Sequence, residues 1–67
     1  MLPTPQPARG VLAMQRVTVR EVARRAFVSE QYTSRCLNGY QRPSAKFKAA
    51  VAAICALPEA ALFRDDS

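Results

Sequence analysis

Glu30, Gln31, Ser34, Arg35 and Asn38 set a carboxylate, two amides, a hydroxyl and a guanidinium within nine consecutive residues of a 67-residue chain. On an α-helix at 100° per residue they share one arc about 140° wide, while Tyr32, Thr33, Cys36 and Leu37 share the other. Such a row offers alternating donors and acceptors, which is the chemistry of recognition rather than of bond breaking. The composition points the same way. The chain has no histidine, the commonest general base, zinc ligand and partner of a catalytic serine. Its two cysteines, Cys36 and Cys55, are too few for a disulfide framework or a metal site and are expected to be reduced core residues. With no nucleophile–base pair or carboxylate pair in view, no catalytic residue, metal or cofactor is expected, and the chain is not expected to be an enzyme.

The charge is unevenly placed. Ten Lys and Arg against five Asp and Glu give a net charge of +5, made of +7 over residues 1–50 and −2 over residues 51–67. A basic body with a mildly acidic end can present one face to a polyanion and turn the other away. Arg-rich helices that are merely well solvated would have the same composition. A hydrophobic content of 49% suits one small globular domain. No apolar run approaches the ~20 residues of a membrane span, and the start lacks the apolar core of a signal peptide. A soluble module in the cytoplasm is therefore expected, with no membrane partner and no small-molecule ligand.

The elements that must hold the polar row are all helical. Pro3, Pro5 and Pro7 make residues 1–7 an extended or disordered lead-in, although Pro7 also suits the first position of a helix. Ala8, Val11 and Leu12 repeat at helical spacing and predict a first helix over about 7–16. Thr18 and Glu21 form a capping box for a second helix, with Val19, Val22, Ala23 and Ala26 on its apolar face and Arg20, Arg24 and Arg25 outside. Ser29 caps a third helix, about 29–38, which Asn38-Gly39 stops. In it, Tyr32 and Thr33 are expected to face other helices, the Thr33 hydroxyl bonding back to the preceding turn. Ser44 caps a fourth helix over roughly 45–56, with Phe47, Ala50, Val51, Ile54, Cys55 and Leu57 on its inner side. Pro58 breaks it, and Glu59 to Phe63 form a last turn that folds Leu62 and Phe63 onto the core. No segment has the alternation of a strand. The expected fold is an all-α bundle of four to five short helices over residues 8–63, followed by an acidic tail at 64–67.

Two short helices joined by a tight turn, the second with a polar outer face, have the geometry of a DNA-reading helix-turn-helix. Ala23 supplies the small residue needed where the two meet, and Glu30, Gln31, Ser34 and Arg35 supply the exposed donors and acceptors. Helix starts at Thr18 and Ser29 can aim backbone N–H groups at phosphates. The stretches Val17 to Ala23, Val28-Ser29, Ser34 to Gly39 and Arg42-Pro43-Ser44, closed by Leu57-Pro58-Glu59 through Leu62-Phe63, together resemble the lambda-repressor and Cro family of helix-turn-helix domains. The resemblance covers about residues 8–63. Val17 to Asn38 with Ser44-Ala45-Lys46 also resembles the headpiece of the lactose-repressor family, although that family starts its motif nearer the N-terminus and continues into a hinge and a large sugar-binding domain.

The resemblance implies five short helices and sequence-specific binding of double-stranded DNA by a phage-type transcriptional regulator, located with the bacterial nucleoid. It implies base contacts from Glu30, Gln31, Ser34 and Arg35, with Arg35 suited to guanine, Gln31 to adenine and Glu30 to cytosine N4. Phosphate contacts are implied for Thr18 and Val19 through their N–H groups, and for Arg20, Ser29, Asn38, Arg42, Ser44 and Lys46. A homodimer on an inverted-repeat operator is implied, with a candidate contact near Leu57, Ala61, Leu62 and Phe63. Phe27 departs from the pattern, because the family usually has Gly at that turn. Either Phe27 accepts left-handed backbone, or the turn takes another path. The alternative function is a protein-partner module, such as an antitoxin or antirepressor, or the headpiece of a larger lactose-repressor-like regulator.

Overall fold

Three side-chain hydroxyls start three of the helices. In the computed structural model, which describes residues 4–63, Thr18 Oγ1 accepts the Glu21 N–H at 3.2 Å, Ser29 Oγ accepts that of Tyr32 at 3.0 Å and Ser44 Oγ accepts that of Phe47 at 3.1 Å. Each bond satisfies a donor that the first helical turn leaves without an intrahelical partner. The helices are α1 (Pro7–Met14), α2 (Val19–Ala26), α3 (Glu30–Leu37), α4 (Ala45–Cys55) and α5 (Glu59–Leu62). No strand occurs among the described residues, so the expected all-α class is what forms. None of these helices is long and apolar enough to cross a membrane. The acidic tail at 64–67 and the first three residues of the lead-in lie outside the described residues.

The Glu21 half of the expected capping box is different. Its carboxylate pairs with Arg25 one turn on, at 2.9 Å, because that guanidinium is a stronger partner than a backbone N–H.

Helix ends follow one pattern. Arg16, Phe27 and Ala56 take left-handed backbone, with φ between 58 and 60°, and Gly39 has φ 86°. The residue after each donates its N–H five residues back: Val17 to Leu12, Val28 to Ala23, Tyr40 to Arg35 and Leu57 to Ala52, over 2.9–3.2 Å. These are Schellman closures, and three of the four are built without glycine.

Phe47 on α4 is at the centre of the core. Its ring meets Tyr32 edge-on at 5.5 Å and Phe63 at 6.1 Å. Around it Ala8, Leu12, Val22, Cys36, Val51 and Leu62 are buried. Thr33 is buried as well, and its hydroxyl donates to the Ser29 carbonyl at 3.0 Å, as expected. Leu62 and Phe63 fold onto the core, again as expected.

Two expectations need correction. Val19 and Leu57, placed on inner faces, are 38% and 39% exposed, because each sits at a helix end where the apolar stripe runs past its partner. The first helix ends at Met14 rather than near 16, since Arg16 already lies in left-handed backbone. The described part of the lead-in is tied down. Gln6 donates its N–H to the Leu37 carbonyl at 2.9 Å, and the Thr4 carbonyl lies so close over Gly39 that a Cβ there would overlap it. Pro7 opens α1, where a missing N–H costs nothing.

Candidate nucleic-acid interface

The turn between α2 and α3 is Phe27, Val28 and Ser29. Phe27 has φ 59° and ψ 43°, and its N–H turns back to the carbonyls at the end of α2. The backbone therefore takes the left-handed path that Gly usually serves, and the ring is left 89% exposed. Val28 packs on the core beside it, while buried Ala23 lets the two helices approach, and α2 and α3 share the largest contact of any helix pair.

This arrangement buries Thr33, Cys36 and Leu37 and leaves Glu30, Gln31 and Arg35 exposed, with Ser34 half-buried. Both ends of α3 are fixed. Ser29 caps the start, and at the other end Asn38 Nδ2 donates to the Ser34 carbonyl at 2.9 Å and to Ser34 Oγ at 3.3 Å. Asn38 was expected to hold a phosphate. In the chain by itself its amide braces the last turn of α3 and holds the Ser34 hydroxyl in place.

Gln31, Ser34, Arg35 and Asn38 line an open cleft of about 680 Å³ with Tyr40 and Gln41 from the loop after α3. The sequence singles out the first four; for Tyr40 and Gln41, in the loop after the third helix, it leaves contact with DNA backbone or bases open without an argument for it. The signal for them was present in Asn38-Gly39, because a helix stopped by left-handed backbone returns its chain alongside itself. Glu30 is apart from this cleft. Its carboxylate faces Arg20 Nε of α2 at 3.7 Å. Both side chains are well exposed, so the pair contributes less than about 1 kcal/mol.

The residues expected to meet phosphates differ in the groups they have left to offer. Val19 holds the first position of α2, where a helix N–H has no intrahelical acceptor. Arg20, Arg42 and Lys46 are exposed. Thr18 Oγ1 and Ser29 Oγ are occupied as acceptors within the caps, which leaves each a hydroxyl proton to donate. Ser44 is more committed: its Oγ caps α4, and its N–H donates to the Tyr32 hydroxyl at 3.0 Å.

The cysteines lie inside. Burial pushes the Cys36 thiol above its usual value, partly offset by a hydrogen bond with Tyr32, and burial pushes Cys55 up likewise. Both therefore stay protonated, which makes them poor nucleophiles. Among the described residues no group of three His, Cys, Asp or Glu side chains could hold a metal ion.

Comparison of this chain with known protein families, with curated proteins and with solved structures finds no match.

Proposed function

We propose that this chain binds double-stranded DNA sequence-specifically as a small transcriptional regulator, with α3 in the major groove. One observation carries the reading. Gln31, Ser34 and Arg35 bring hydrogen-bonding side chains to an open cleft on a helix whose opposite side is buried and whose two ends are braced. A groove about 12 Å wide admits a helix, and a fixed row of unlike hydrogen-bonding groups is what distinguishes base edges there. In this reading Arg35 pairs with guanine, Gln31 with adenine, Glu30 accepts from cytosine, and Ser34 supplies a short donor or acceptor. Thr18, Val19, Arg20, Ser29, Arg42, Ser44 and Lys46 position the protein on the phosphates. The excess of basic residues favours approach to a polyanion. The active species is a homodimer on an inverted repeat, acting in the cytoplasm at the nucleoid, and it uses no cofactor.

Selection from a random duplex pool at near-physiological salt tests this directly. The expected result is an enriched inverted repeat with half-sites about one helical turn apart. Retention of DNA without enrichment would reduce the interaction to charge alone. It would also favour a second reading, a module whose main partner is another protein, for which the solvent-facing Phe27 ring is the supporting observation.

A further inference from the structure

We infer that Tyr40 and Gln41 are specificity-determining residues of this interface, reading DNA beyond the base pairs that α3 reaches. The inference rests on the proposed DNA-binding function and deepens it. From Glu30 to Arg35 an α-helix rises about 7.5 Å. That is little more than two base-pair steps of about 3.4 Å, so the readers on α3 address only a few base pairs. The cleft does not end with the helix. Tyr40 and Gln41 form its continuation, adding an aromatic ring with a hydroxyl and an amide with both a donor and an acceptor.

These two side chains stand on a loop that is pinned at both ends to α3 itself. Gly39 turns the chain at φ 86°, and the Tyr40 N–H then donates to the Arg35 carbonyl at 2.9 Å. At the far end Ser44 donates its N–H to the Tyr32 hydroxyl at 3.0 Å, with Pro43 buried beside it. Tyr32 and Arg35 are thus on α3, and the loop keeps a fixed offset from the reading row. Tyr40 is nevertheless 71% exposed, so its ring is not there to fill the core. An exposed tyrosine on a pinned backbone has only two side-chain torsions to fix on binding, so it offers a large contact at low entropic cost.

The test is selection from a random duplex pool with the wild-type chain, Tyr40→Ala and Gln41→Ala, followed by affinity measurements on the enriched site and on single-base variants of it. Circular dichroism and thermal melting first establish that each variant folds, as expected for exposed positions. Each variant is expected to lose about tenfold discrimination at one or two positions at one edge of each half-site, while preference at the central positions persists. An unchanged motif and affinity in both variants would overturn the inference and leave the proposed function standing. A uniform loss over all sequences would also overturn it, since that marks a backbone clamp. Absence of any enriched site with the wild-type chain would instead remove the DNA-reading function itself, and this inference with it.

Discussion

Phe27 holds left-handed backbone at φ 59° with its ring in solvent, so no burial offsets the strain. Left-handed backbone disfavours a residue with a Cβ by about 1–2 kcal/mol, and glycine returns part of that through its greater freedom when unfolded. Phe27→Gly is therefore expected to stabilise the fold by about 0.5–1 kcal/mol, or roughly 2–8 °C in a chain of this size. Thermal melting checks this, and a lower Tm would mean that the ring contributes contacts after all. The sequence left two routes open at Phe27 because a bulky residue argues against positive φ, whereas the turn length argues for it. Only the closing bond from Val28 to Ala23 decides between them. At the interface, Arg35 and Lys46 separate two kinds of contact. Arg35→Ala is expected to cost about 1–3 kcal/mol on the selected site and to relax preference at one base pair. Lys46→Ala should weaken all sequences alike and reduce the salt slope of binding by about one unit. Equal losses on random and selected DNA for Arg35→Ala would remove its assigned role.

Whole elements were easier to read than their ends. Thr18, Ser29 and Ser44 announce helix starts because a hydroxyl before an apolar repeat has one inexpensive use, and all three caps form. Left-handed ends at Arg16 and Ala56 carry no such mark, since neither residue type favours that backbone. Tertiary contact imposes it: Gln15, just before Arg16, donates its side-chain amide to the Cys55 carbonyl just before Ala56, at 3.2 Å, which ties the two helix ends together. The two kinds of end predict opposite responses. Ala56→Gly is expected to raise Tm, because an exposed alanine at φ 58° gives up only strain. Gly39→Ala is expected to destabilise by more than about 1 kcal/mol, since φ 86° and the overlapping Thr4 carbonyl both oppose a Cβ. Urea unfolding of both variants at one pH measures the contrast. The candidate cleft was half legible for the same reason. The polar arc of α3 follows from periodicity, but the placement of Tyr40 and Gln41 depends on how the chain leaves the helix.

At the scale of the molecule, the backbone of α5 packs on α1 and α4, while that of α3 packs on α1 and α2 and α3 meets α4 through the Tyr32–Phe47 ring contact. The candidate reading surface and the last helix are thus on separate contacts. A homodimer that leaves the cleft open can use the surface carrying Leu57 and Ala61, both exposed, whereas Leu62 and Phe63 are buried and belong to the core. Ala61→Glu is expected to weaken dimerisation and operator affinity without lowering Tm. Unaltered sedimentation and unaltered affinity would eliminate this face. The strap formed by Thr4 and Gln6 has a practical bearing on all these measurements. Because Thr4 lies over Gly39, one residue from Tyr40, any affinity tag, fluorophore or sensor-chip linker fused ahead of the chain is tethered within a few residues of the loop that lines the cleft. The same handle placed after Phe63 is tethered next to α5, whose backbone packs on α1 and α4. An amino-terminal fusion would thus compete with DNA for its own protein and register as a weak binder, whereas a carboxy-terminal fusion would report the affinity of the chain itself.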